Sequence, residues 1–169
     1  NSIANETAES IMESSADIDQ FLTFIMDNEE YGVDILSVQE IRGWEDCTSI
    51  PNSPRYMKGV INLRGKVIPV IDLRMRFAMA EIPYNERTCI IVVEIHQQAD
   101  TVQIGIVVDA VSEVLNIKAA DIADTPTFGS KLDTDYILGM AKMEGGVKIL
   151  LDIDCVLSAE EITSLEETL

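Results

Sequence analysis

Two aspartates eighty positions apart, Asp72 and Asp152, each end a strand-like run, in VIDL and LLDI. Carboxylates related by duplication could share one proton, so hydrolysis by an Asp72/Asp152 dyad is one chemistry to weigh. Neither is followed by the Thr/Ser-Gly of an aspartic-protease loop. Each instead precedes a helical segment, where a carboxylate caps free N–H groups and contributes roughly 0.5–2 kcal/mol. Capping is the favoured reading and the dyad a remote alternative. The single histidine, His96, ends an apolar run beside Gln97 and Gln98. It is expected to face solvent, because Ser-His-acid and Cys-His systems need a positioned base and a metal site needs further ligands nearby. Cys47, Cys89 and Cys155 are odd in number, widely spaced and free of any C-x-x-C, which suggests neither a disulfide framework nor zinc and fits a reducing cytosol. No Gly-rich phosphate loop with nucleotide-binding spacing occurs, so no cofactor is implied.

What remains is a surface for binding. Residues Lys58 to Lys66 place Lys58, Arg64 and Lys66 around one turn of a chain whose net charge is −18. An arginine there can make bidentate contacts to a partner's carboxylate. The plainer reading is that Arg64-Gly65 is a hairpin turn, with Gly65 supplying positive φ. The acidic balance opposes phosphate-backbone binding, so nucleic acid is not an expected partner. No apolar run approaches the ~20 residues of a membrane span, so no direct membrane insertion is expected.

The elements that must position these residues come in two diverged copies. Gly59 to Leu73 (GVINLRGKVIPVIDL) matches Gly139 to Ile153 (GMAKMEGGVKILLDI) at an offset of 80. Gly32 to Ile41 (GVDILSVQEI) matches Gly105 to Val114 (GIVVDAVSEV) at an offset of 73. Charge differs between copies, as at Arg64 against Glu144, so the halves divide their roles. Ten short Val- and Ile-rich strands are expected: 21–26, 31–34, 38–42, 60–63, 67–71, 88–95, 102–108, 111–115, 137–143 and 147–151. Five short strands per half is the scale of an SH3-like barrel, and closure protects edges that an open sheet would expose. The expected fold is all-β with short helices: two packed five-stranded SH3-like barrels built from halves 20–85 and 86–155 of one domain over 19–160. Residues 1–18 read as an acidic, disordered tail, and 116–136 as a long polar connection carrying the second half's insertion. Helical signals are confined to 73–79, a turn near 55–58 and the C-terminal segment 158–169, where Ser158 and Glu161 make a capping box.

The series VQEIRG from Val38, IPNSP from Ile50, KGVINLRG from Lys58, VIPVIDL from Val67 and GIVVDAVSEVL from Gly105 closely resembles the CheW family over about residues 20 to 160. That resemblance implies the paired-barrel fold and a non-catalytic adaptor that couples chemoreceptors to the histidine kinase CheA in bacterial chemotaxis. It implies two partners: the cytoplasmic hairpin tip of a methyl-accepting chemoreceptor, and the CheW-like regulatory domain of the kinase. It also implies a cytoplasmic protein recruited to membrane-associated receptor arrays. On matching positions, Val38, Gly59, Arg64, Cys89 and Val114 are expected to bind the receptor and Glu40 the kinase. Ordinary strand packing for Val38 and Val114, a strand bend at Gly59, and a structural role shared by the repeat equivalents Glu40 and Glu113 stay open. So does a paralogous scaffold for surface motility or second-messenger control.

Overall fold

The computed structural model describes residues 18–97, 100–123 and 136–167. The strands are β1 (Ile18–Met26), β2 (Glu29–Asp34), β3 (Val38–Gly43), β4 (Met57–Leu63), β5 (Lys66–Asp72), β6 (Cys89–Gln97), β7 (Asp100–Val108), β8 (Ala110–Lys118), β9 (Ile122–Ala123), β10 (Ile137–Met143) and β11 (Gly146–Leu151). Helix α1 (Leu73–Arg76) follows β5, and α2 (Ala159–Glu167) ends the described chain. All ten expected strands form. Along β4, burial alternates from Met57 to Leu63, as the two-residue period of a pleated strand requires. The two-residue turns Asp27-Asn28 and Arg64-Gly65 have positive φ at both positions, which matches hairpin twist to strand twist. The expected tail falls outside the described residues except Ile18, which begins β1. The polar connection starts later than expected. Asn116 to Lys118 still belong to β8, and a 3-10 turn and β9 follow before 124–135, which lie outside the described residues.

The two sheets run in the orders β8-β1-β2-β11-β10-β9 and β3-β6-β7-β5-β4. Each closes on itself. β8 and β9, the ends of the first order, are joined by one 3-10 turn at Ala119–Asp121. In the second, Thr48, just beyond β3, exchanges both backbone hydrogen bonds with Val60 of β4 at 3.0 and 2.9 Å. We call these the β1 barrel and the β6 barrel. They do not divide at residue 85, as contiguous halves would. The first hairpin of each half, β1–β2 or β6–β7, is completed by the last three long strands of the other half. Parallel pairing enforces this exchange: Leu150 lies opposite Gly32, and Val70 opposite Gly105. Both glycines occupy equivalent repeat positions where the paired strands press together. A Cβ would lie 3.0 Å from Leu150 Cδ2 at Gly32 and 2.9 Å from Ile90 Cγ2 at Gly105.

Three apolar clusters follow from this arrangement. Ile61, Leu63, Ile68, Val70, Ile90, Val92 and Val107 fill the β6 barrel. Phe21, Ile117, Ala141 and Leu150 fill the β1 barrel. The largest cluster lies between them, where Leu22, Phe24 and Val33 meet Ile91, Val93 and Ile106, and α2 covers one side with Ile162 and Leu165. Removing one such side chain to Ala costs about 2–5 kcal/mol.

The capping reading of both aspartates holds. Asp72 Oδ1 accepts from the N–H groups of Arg74 and Met75 at 2.9 and 3.3 Å, while Tyr84 donates its hydroxyl to Oδ2. Asp152 accepts from Asp154 N at 3.1 Å and from Cys155 Sγ at 3.4 Å. Each carboxylate is committed to its own barrel's cap, and neither has the other among these partners. The Ser158–Glu161 box forms reciprocally, at 2.9 and 3.1 Å.

Charge ties the barrels together at one junction. Asp109 is the single residue between β7 and β8, and its Oδ1 and Oδ2 accept from Arg74 Nε and Nη2 at 2.7 and 2.8 Å. Arg74 Nη1 donates to Ala80 O at 2.8 Å, and Asp27 Oδ1 lies 3.7 Å from Nη2. Asp109 Oδ2 also accepts from Asp27 N at 3.0 Å, and Asp109 N donates to Ile25 O at 3.1 Å. The hydrogen bonds to Asp109 hold the Arg74 guanidinium even more firmly protonated than usual, against the opposing effect of burial.

Candidate docking surface

β3 carries Val38 and Glu40 on its half-buried positions and Ile41 on an exposed one. Val38 lies opposite Val93 of β6, the register shifts by a bulge, and Glu40 lies opposite Val92. Val38 packs against the core between the barrels. Glu40 meets the tip of the β4–β5 hairpin, where Arg64 Nη2 lies 3.6 Å from Oε1. Asn62 Oδ1 holds that hairpin tip by accepting from Gly65 N at 2.8 Å. The Arg64 side chain is 79% exposed against 28% for Glu40. Such a pair contributes about 0–1 kcal/mol to stability. It leaves most of the guanidinium open to solvent, while Glu40 Oε2 is buried without a hydrogen-bond partner. The arrangement can offer the Arg64 donors to a partner's carboxylate.

The other candidates take different places. Gly59 is buried on β4 with φ +147°, and a Cβ there would lie 2.3 Å from Thr48 O. It is the spacer that lets Thr48 cross β4 and close the β6 barrel, so its influence on a docking surface runs through the backbone. This agrees with the strand-bend reading. Cys89 opens β6 between Gly43 and Val108, half-buried against the inter-barrel core, with Sγ 3.3 Å from Arg87 O. Val114 lies on β8 opposite Leu22 and is 50% exposed. Of the six candidates, Glu40 and Arg64 touch. Val38 and Cys89 lie on neighbouring strands at the margin of one core, and Val114 belongs to the other barrel.

Glu40 and Glu113 do not share a side-chain role. Glu113 is exposed, and its backbone N–H and C=O are held by the buried hydroxyl of Thr23 at 3.1 and 2.8 Å. The sequence reading missed several exposed apolar residues, among them Leu36 at 85% and, on β3 beside Glu40, Ile41 at 44%. Ile41 had a signal, being the repeat counterpart of Val114. Leu36 stands where the other copy has Asp109. Cys155 is exposed at the end of a 3-10 turn. His96 is exposed near the end of β6, and its backbone N–H donates to Asp154 Oδ1 at 2.8 Å. Burial, then Glu45 and Asp46, pushes the Cys47 thiol up to about 11, so it stays protonated at neutral pH. Among the described residues, no helix is long and apolar enough to cross a membrane.

A family model described as "CheW-like domain" matches residues 20–161. The chain belongs to the CheW family. Among CheW relatives, it is 45% identical over 147 residues to the chemotaxis protein CheW of Klebsiella aerogenes, covering 87% of this chain and 86% of that one. It is 35% identical over 142 residues to the chemotaxis protein CheW of Rhizobium meliloti, covering 84% and 89%. The crystal structure of the scaffolding protein TtCheW from Thermoanaerobacter tengcongensis matches with TM-score 0.75 and 34% identity, over 85% of this chain and 94% of that one. The CheW fold expected from the sequence is therefore the fold observed.

Proposed function

We propose that this CheW-family chain is a non-catalytic chemotaxis adaptor that holds a chemoreceptor's cytoplasmic hairpin tip and a CheA-like histidine kinase in one complex. The observation that carries the reading is the Glu40–Arg64 pair. It places an exposed cation and an under-used carboxylate together on the rim of one barrel of an acidic, two-barrel scaffold. Glu40 contributes to the kinase face. Val38, Arg64, Cys89 and Val114 contribute to the receptor face, with Gly59 shaping β4 beneath it. A receptor helix recognised there presents apolar anchors at helical spacing. The adaptor performs no chemistry. It converts a difference between receptor conformations into a shift of kinase activity, because a bound receptor state that favours one kinase state moves that equilibrium by its differential affinity. Recruitment to membrane-associated arrays follows from the partners, and array multivalency raises modest single-site affinities.

The test is a pull-down against a kinase regulatory domain and a receptor cytoplasmic fragment from the same organism, separately and together. Binding to both, with a ternary complex that raises kinase activity, supports the adaptor. Binding to neither moves the function to a paralogous pathway. Arg64→Glu is expected to weaken partner binding while leaving the melting temperature nearly unchanged, and an unaffected complex would return Arg64 to a turn residue.

A further inference from the structure

Arg74 and Asp109 form a junction that the two halves do not share. The repeat counterpart of Arg74 is Asp154, and that of Asp109 is Leu36. We propose that Arg74 is a positioning residue that sets the angle between the two barrels, and with it the relation of Val114 on one barrel to Val38 on the other. This rests on the adaptor reading given above.

The geometry carries the assignment. Arg74 follows β5 of the β6 barrel and is 9% exposed, whereas Asp27 caps the hairpin of the β1 barrel. Asp109 is the point at which the chain passes from one barrel to the other. Two parallel N–H···O bonds to a single carboxylate fix direction as well as distance, so a rotation of one barrel on the other breaks the Arg74–Asp109 pair. Removing the guanidinium leaves Asp27 and Asp109 close together without a shared cation. Val111 and Val114 lie two and five residues beyond Asp109 on β8, and their placement relative to the β6 barrel follows from how Asp109 is held.

The pseudo-equivalent junction lacks this clamp. Leu36 is 85% exposed there, and its N–H is held within its own turn by Asp34 Oδ1 at 2.9 Å. Asp154 reaches the opposite hairpin through one hydrogen bond to the His96 amide. The barrel angle is therefore set on the Arg74 side.

The experiment compares residual dipolar couplings of the ¹⁵N-labelled wild-type protein with those of Arg74→Met and Arg74→Lys. It adds titrations of each protein with a receptor cytoplasmic fragment and, separately, a kinase regulatory domain. Lysine keeps a charge near the two aspartates but cannot make the parallel pair, and it is the variant read if methionine does not fold. The expected result is one alignment tensor for both barrels in the wild type and separate tensors in the folded variants. Receptor affinity should fall about fivefold or more while kinase affinity changes less than about twofold. A single shared tensor with unchanged receptor affinity overturns the proposal, and so does an equal loss for both partners with the tensor unchanged. If the wild type binds neither partner, the adaptor reading fails, and the tensor comparison alone decides whether Arg74 sets the angle.

Discussion

Gly59 and Gly65 lie six residues apart with positive φ, yet they answer to different constraints. At Gly65 nothing lies within 4 Å of an added Cβ, so Gly65→Ala meets only the backbone penalty, about 1 kcal/mol. At Gly59 the same methyl meets the Thr48 backbone. Gly59→Ala is expected to cost more than about 2 kcal/mol by urea denaturation; equal costs at the two positions would remove the spacer role. Asp72 makes a second residue-level case. Asn keeps an acceptor for the α1 cap, whereas Ala also strands the Tyr84 hydroxyl, whose proton is held by burial and then by Asp72. Asp72→Ala is expected to lose about 1–3 kcal/mol more than Asp72→Asn, measured the same way. The aspartate caps were legible in the sequence because they are local. Tyr84 was not, because a loop tyrosine twelve residues away carries no pattern that assigns it to Asp72.

Helix α2 shows an element whose anchors were partly visible. Ser158 and Glu161 sit three apart before an apolar repeat, which is enough to predict the capping box. The partners supplied by the rest of the fold were hidden. Arg76 Nη2 lies 2.9 Å from Glu161 Oε1, and Tyr56 donates to Oε2 at 3.2 Å. Burial pushes the Glu161 carboxyl up, but the Ser158 backbone and side-chain hydrogen bonds, Arg76 and Tyr56 together hold it below its usual value. Because its folded value is lowered, its stabilisation is complete above the unfolded value of about 4.3 and is lost as pH falls through the folded one. The melting-temperature gap between wild type and Glu161→Gln should therefore be widest near neutrality and close in acid. A gap independent of pH would exclude the ionic contribution. β8 extended further than its sequence suggested for a related reason. Asn116, Ile117 and Lys118 pair with Gln20, Asp19 and Ile18 in that order, and these largely polar segments become strand only against each other.

At the scale of the molecule, the repeat was plain in the sequence and the exchange of hairpins was not. Equivalent strands have equivalent patterns, so either copy of β2 or β7 satisfies the pairing rules beside β5 or β11, and the sequence alone cannot choose. The Arg74–Asp109 clamp had a signal, since both positions break the repeat in charge, but only the fold brings residues 35 apart together. Because each sheet needs strands from both halves, neither repeat half can build a barrel alone, and the two barrels share the large core between them. Trp44 packs on Tyr84 at the margin of the β6 barrel core, so its fluorescence reports that barrel, while far-ultraviolet dichroism reports both. The two signals should give one coincident unfolding transition, and separated midpoints would show barrels that melt apart. The exchange also imposes an order on a chain made from its N-terminus. The β6 barrel has all its long strands once Val108 has been synthesised, but the β1 hairpin, already carrying Phe21, Phe24 and Met26, must wait for β11 at Leu151. Strands β1 and β2 are made before the other described strands and are among the last of them to be enclosed. Throughout that interval the nascent protein presents an aromatic hairpin that a chaperone can hold, and a ribosome stalled before β11 releases a product with one barrel incomplete.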